Sequence, residues 1–170
     1  TLALCPYKDE LLFYAPRWKG EKKRTAKIPT SLLGAAQFLR GHILARGGFD
    51  QWRAADAADN NNDPLVRQYL SSDGAHELKE FQKAFPNHVE MFITDVYGGL
   101  AGTTNRTSDF YQADEGWWQA AYNNGEGAVY ISEPEYDESA NALAVLIALP
   151  MRSDETGEIV GILRTTYLAS

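Results

Sequence analysis

The stretch Val89-Glu90-Met91-Phe92-Ile93-Thr94-Asp95-Val96-Tyr97-Gly98-Gly99-Leu100-Ala101-Gly102-Thr103-Thr104 decides the fold. Val89 to Asp95 reads as a strand, Tyr97-Gly98-Gly99 as a tight turn and Leu100 to Thr104 as the returning strand. The hydrophobic period therefore changes near His88, from helical spacing before it to strand spacing after it.

Upstream, Asp63-Pro64 is a helix start, a capping acid followed by proline at the first helical position, with Leu65, Val66, Tyr69 and Leu70 as its apolar face. Ser72 or Asp73 caps the next helix, on which Leu78, Phe81 and Phe85 share a side before Pro86 stops it. Phe49 and Trp52 begin an earlier helical piece that dissolves into the polar run Asp59 to Asp63. Ser31 is read as the cap of a helix to about Arg46, ended by Gly47-Gly48. Residues 1–30 are left unassigned, with a short strand at Leu11 to Tyr14 as their one readable element.

Downstream lies Asn105-Arg106-Thr107-Ser108-Asp109-Phe110-Tyr111-Gln112-Ala113-Asp114-Glu115-Gly116-Trp117-Trp118-Gln119-Ala120-Ala121-Tyr122, ending in a short helix. Asp114 and Glu115 are expected in its first turn, where carboxylates suit the positive end of the dipole. Trp117 and Trp118 stand about 100° apart on a helix, so one is expected in the core and the other lining a cavity. Further strands follow at Ala128 to Glu133, at Asn141 to Met151, apolar and so central, and at Ile159 to Leu168 after the turn Asp154 to Glu158. Helices first and then five short strands give an α+β fold, a five-stranded antiparallel sheet with N-terminal helices packed on it. Residues 31–170 form a single domain, helical over 31–86 and sheet-rich over 88–170.

The 170 residues suit one domain with its own core, and 44% hydrophobic with 23% charged residues is ordinary for a soluble protein. The lone Cys5 excludes an internal disulfide and a cysteine-built zinc site. Residues 1–48 carry a net +6 and residues 49–170 a net −13, which make up the −7 of the chain. The acidic body argues against nucleic acid, and the basic cluster Lys19, Lys22, Lys23, Arg24 and Lys27 reads as a solvated charged segment. No apolar run approaches the ~20 residues of a membrane span.

The sequence resembles a Cache domain, the PAS-like extracytoplasmic sensor of bacterial and archaeal receptors. The matching pieces are Phe92 to Gly98, Thr103 to Tyr111, Asp114-Glu115-Gly116-Trp117-Trp118-Gln119, Tyr136 to Ala140, Ala148-Leu149-Pro150-Met151 and Gly157 to Leu163, in the family's order and spacing. The resemblance implies a small organic ligand bound between the sheet and the overlying helix and loops, without catalysis. It further implies a membrane-anchored signalling module as partner, in a histidine kinase, chemoreceptor or similar receptor, with this domain on the outer side of the membrane. Amino-acid-binding members carry an Arg-x-Trp-Tyr segment and an Asp on the last strand. Glu115 stands at the place of that arginine, Trp118 at the tyrosine and Thr166 near the Asp, so an α-amino acid held in the usual way is disfavoured.

The residues themselves offer an aromatic box of Tyr111, Trp117, Trp118 and Tyr130 edged by Asp109, Asp114 and Asp137, a chemistry suited to a cationic or amine ligand. Arg106 is the sole Lys or Arg between Lys83 and Arg152, so it either holds a ligand carboxylate or pairs with Asp109 or Asp114. Glu133, Glu135, Asp137 and Glu138 lack the spacing of a calcium loop, and His42, His76 and His88 lack metal-ligand spacing, so no metal and no cofactor are expected. Nucleophile-elbow, phosphate-loop and zincin motifs are missing, and a carboxylate pair such as Asp114 with Asp137 arises readily by chance in so acidic a chain, so no catalytic residue is assigned. The alternatives are a ligand-free module that dimerises through the 31–46 helix, a cytoplasmic PAS domain and a small glycosidase.

Overall fold

The computed structural model describes residues 48–137, 142–154 and 156–169, and among these three helices precede the sheet. The expected elements at Leu11–Tyr14 and Ser31–Arg46, the basic cluster and Cys5 lie outside the described residues. Helix α1 spans Gly48–Ala57, so Gly48 opens a helix. Helix α2, Pro64–Leu70, starts as its sequence dictates: Asp63 accepts a 2.8 Å hydrogen bond from the Leu65 amide and proline fills the first position. Helix α3, Asp73–Ala84, is capped by Ser72, whose Oγ accepts from the Ala75 amide at 3.1 Å.

Strands β1 (His88–Asp95) and β2 (Leu100–Thr103) form the expected hairpin. Asp95 Oδ1 closes its turn by accepting from the Tyr97 and Gly99 amides, and Gly98 takes φ +84°, open to glycine at little cost. Helix α4 (Gly116–Tyr122), β3 (Tyr130–Ile131), β4 (Glu135–Asp137), β5 (Ala142–Arg152) and β6 (Ile159–Ala169) follow. All strand pairings are antiparallel, in the order β2-β1-β6-β5-β3, with β4 also pairing β5. The α+β class thus stands, and β5 is interior as its apolar run requires.

The expected five strands become six: the third, expected over Ala128 to Glu133, shortens to β3, and β4 beyond it adds an unexpected second pairing along the same edge of β5. Pro134 has no amide hydrogen to give a ladder, and Ser132 marks the end of the first piece. Its amide still donates to the Leu146 carbonyl at 2.9 Å, while its Oγ, not its carbonyl, receives the Leu146 amide at 2.9 Å.

Alternation along the strands sorts the sheet into two faces. Met91, Ile93, Val145, Ile147 and Tyr167 meet Leu78 and Phe81 of α3. Phe92, Ala148 and Ile162 meet Trp117, Trp118 and Ala121 of α4 on the other face. Beside α4, Trp52 of α1, Tyr69 of α2 and Phe110 form an edge-to-face aromatic cluster with centroids 5.1–5.7 Å apart. Trp52 Nε1 donates to the Thr107 carbonyl at 2.9 Å, fixing the loop between β2 and α4 against the helices. No helix of the described residues is long and apolar enough to cross a membrane.

Candidate functional site

Two places gather some of the residues singled out by the sequence. Arg106, Asp109 and Tyr111 lie against α1. The Arg106 side chain is only 11% exposed; its Nε donates to Asp56 at 2.8 Å, one Nη to Asp59 at 2.7 Å and the other to Asn61. These bonds, Asp56 first, raise its pKa further and commit its fork to the α1–α2 connection. The expected pairing with Asp109 or Asp114 is therefore replaced by acids nearly fifty residues upstream in the chain. Asp109 instead meets Arg53 at 3.2 Å, and Tyr111 is exposed with its ring 6.2 Å from Phe49.

Asp114 and Glu115 also depart from expectation. Helix α4 begins only at Gly116, with Glu115 as a cap residue that makes no side-chain capping bond, so both acids precede the first turn and face solvent. Both tryptophans are buried, rather than one in the core and one in a cavity. Positions 100° apart straddle a single apolar stripe, and Ala121 one turn on completes it, so the two indoles flank the same contact line. Trp118 stacks on Tyr122 at 4.8 Å and donates from Nε1 to Thr94 Oγ1 at 2.9 Å. Trp117 meets the Phe92 ring edge-on at 5.8 Å. Asp137 lies on β4 opposite Ala142, at the far edge of the sheet from β1.

The second place is the sheet face beneath Trp117. Antiparallel register sets Phe92, Arg164, Ala148 and Tyr130 in one row across β1, β6, β5 and β3, and Glu90, Thr166 and Leu146 in the next. Helix α4 packs over β3, β5 and β6. Arg164 Cζ lies 4.9 Å from the Phe92 ring centroid and 5.5 Å from that of Trp117, a cation on two π faces. Its Nη1 donates to Glu90 Oε2 at 2.9 Å, and Thr166 Oγ1 lies 3.5 Å from the same oxygen. Arg164 Nε is buried with no hydrogen-bond partner among the described residues. Glu90, Arg164, Thr166, Leu146 and Tyr130 are each half-buried, so this strip is open to solvent in part.

Arg164 and Glu90 escaped the sequence reading because each sits in an apolar strand and far from the other in the chain. The signal was one charged residue on an alternating strand, at a position whose neighbours Ile162 and Ala148 face the core. Of the eight residues named from sequence, Trp117 and Tyr130 border this strip. Among the described residues no group of three or more histidines, cysteines or acids is placed to hold a metal.

No family model matches the chain, and no curated protein matches it in sequence. Similar solved structures include the sensory domain of the Campylobacter jejuni chemoreceptor Tlp3 with isoleucine bound, at TM-score 0.43 and 16% identity over 97% of this chain and 64% of that one. A second is the ligand-binding domain of the Pseudomonas aeruginosa amino acid chemoreceptor PctC in complex with GABA, at TM-score 0.41 and 13% identity over 85% and 60%. A third is the sensor domain of the V. cholerae histidine kinase DctB, at TM-score 0.38 and 17% identity over 83% and 57%. This chain spans less than two thirds of the length of each.

Proposed function

We propose that residues 31–170 are a Cache-type sensor domain that binds a small organic molecule reversibly, without chemistry, on the outer side of a membrane, and passes the bound state to a signalling module. The observation that carries the reading is Arg164, a half-buried cation laid on Phe92 and Trp117, with its Nε unpartnered among the described residues and its row ending at Tyr130. A purely structural core gains little from such a group, since a buried charge costs several kcal/mol unless its hydrogen bonds are met, on the order of the fold's whole margin. A binding face gains an anchor for orientation and ring faces for an apolar body. The order and spacing of the Cache-like segments between Phe92 and Leu163 support the same reading. The sheet then serves as floor, α4 and the 105–114 loop as rim, and the aromatic cluster at Trp52 as the brace that holds the rim.

Thermal unfolding against a panel of small carboxylates, amines, polyols, nucleobases and divalent metals tests the proposal. A molecule that binds the folded state alone adds ~2.7 kcal/mol at a hundred times its dissociation constant. A selective shift that Tyr130→Ala removes, while the unliganded midpoint stays near that of the parent, supports the site. A shift that survives Tyr130→Ala moves the site elsewhere, and flat curves across the panel overturn the sensor reading.

A further inference from the structure

We propose that Asn124 is a self-modifying site: the Gly125 amide nitrogen attacks its carboxamide, and the main product lengthens the backbone where α4 hands over to β3. The inference is independent of the sensor reading. Asparagine stands at positions 60, 61, 62, 87, 105, 123, 124 and 141, and only Asn124 is followed by glycine. Ring closure needs the next amide nitrogen to reach the carboxamide carbon. A side chain on that next residue obstructs the approach, whereas glycine carries none and turns freely. Asn124 and Gly125 are both exposed, and a Cβ at Gly125 would approach only the Tyr122 phenol, at 3.7 Å from its oxygen. Among the described residues no hydrogen bond holds the Asn124 carboxamide, while Asn60, Asn61 and Asn87 have theirs committed to the Asn62 amide, Arg106 and Tyr167. Asn124 is left-handed at φ +55°, between Asn123 at +47° and Gly125 at +90°. Closing the ring must turn its ψ away from +29°, so the reaction proceeds from local openings of this exposed loop.

The step balances with water as its sole co-reactant. The Gly125 nitrogen gives its proton to base and bonds to Asn124 Cγ; the Cγ–Nδ2 bond breaks, and Nδ2 takes up protons and leaves as ammonia. Water then opens the five-membered imide at either carbonyl. Cleavage at Cγ restores a normal backbone with aspartate at 124. Cleavage at the main-chain carbonyl leaves the backbone running through Cβ and Cγ, an isoaspartate with one extra methylene in the chain. Either product places a new carboxylate two residues from Glu126. The extra methylene falls inside a closed joint: the Gly127 amide donates to the Tyr122 carbonyl at 3.0 Å and the Ala128 amide to the Ala121 carbonyl at 2.9 Å. These two bonds tie the approach to β3 to the end of α4, and both depend on the length of chain between their partners. Tyr122, at that end, stacks on Trp118 with centroids 4.8 Å apart, so isoaspartate loosens the helix that covers the sheet.

Ageing the full chain in warm, mildly alkaline buffer tests this, with peptide mapping by a fragmentation method that separates isoaspartate from aspartate. The Asn124 peptide should gain the mass of an amide-to-acid exchange before any other asparagine peptide, with isoaspartate the main product. The gain should run several-fold slower in mildly acidic buffer, because the attacking nitrogen must lose its proton. Circular dichroism through the incubation confirms that the reacting chain is folded. Asn124→His removes the carboxamide and keeps a residue type that tolerates positive φ. Each protein is compared with its own unaged sample, so a change in the starting midpoint of the variant does not enter. The isoaspartate form, separated from the parent by its added charge, should unfold at a lower midpoint, and the variant aged beside it should keep its own. An intact Asn124 in the folded chain, or another asparagine reacting first, overturns the proposed site. An isoaspartate form that unfolds with the parent overturns the loosening of α4.

Discussion

Arg106 and Arg164 carry the same guanidinium into opposite circumstances, and the contrast predicts how each responds to change. Arg106 spends its fork on Asp56, Asp59 and Asn61, a geometry no lysine reproduces, so Arg106→Lys should cost about 1–3 kcal/mol in urea unfolding. Trp117 is 8% exposed, so its truncation to alanine would empty part of the core, at about 3–5 kcal/mol. His88 is a third case. It is buried between Phe81 and Tyr167, its Nδ1 2.9 Å from Thr165 Oγ1, and burial lowers its pKa to about 4. The unfolded chain takes up this proton near pH 6.5 and the folded one only near 4, so the folded state loses stability as pH falls through that window. The loss should approach about 3 kcal/mol, and His88→Phe should flatten it relative to the parent when unfolding is measured from pH 7.5 to 4.5. Equal slopes in the two proteins would remove His88 from the account.

At the scale of elements, the pairing of β1 with β6 depends on a missing side chain. A Cβ at Gly161 would lie 2.1 Å from the Thr94 carbonyl oxygen, so Gly161→Ala should force the two strands apart and cost at least about 2 kcal/mol in chemical unfolding. An unchanged midpoint would mean the strands slide apart freely. Local rules made most such elements legible in advance. Asp63-Pro64 and Ser72 announced α2 and α3, and Tyr97-Gly98-Gly99 announced the hairpin, because capping and turn chemistry act within a few residues. The start of α4 was misplaced because acids suit a first turn and a cap almost equally, and only backbone geometry separates the two. The candidate site was far less legible. Arg106 finds its partners some fifty residues away, and Arg164 meets Glu90 across 74, distances at which spacing along the chain says nothing about contact. Trp117 and Tyr130 could be singled out because bulky aromatics beside glycine-bounded elements are costly to leave exposed, but their row mates on β6 and β1 emerge only from register.

At the scale of the molecule, the described residues place one α-helical layer on each side of a sheet and leave the sheet's two long margins to short segments. Strand β2 holds four residues, and a single bridge from Gly99 to Tyr111 extends that side. The opposite side is the pair β3 and β4, two and three residues long, parted at Pro134. Tyr136 and Leu143, cross-strand partners there, are 58% and 50% exposed. A margin of this kind would recruit strands from other copies if it ran unbroken, since free amides and carbonyls in a row accept any extended chain. The proline and the serine beside it withdraw that offer at the point where β3 and β4 would join. Pro134→Thr should knit them together and leave the unfolding midpoint close to the parent's, yet light scattering of a concentrated, warmed sample should rise sooner. What looks like a flaw in strand pairing is, on this view, what keeps a crowded population of these molecules dispersed.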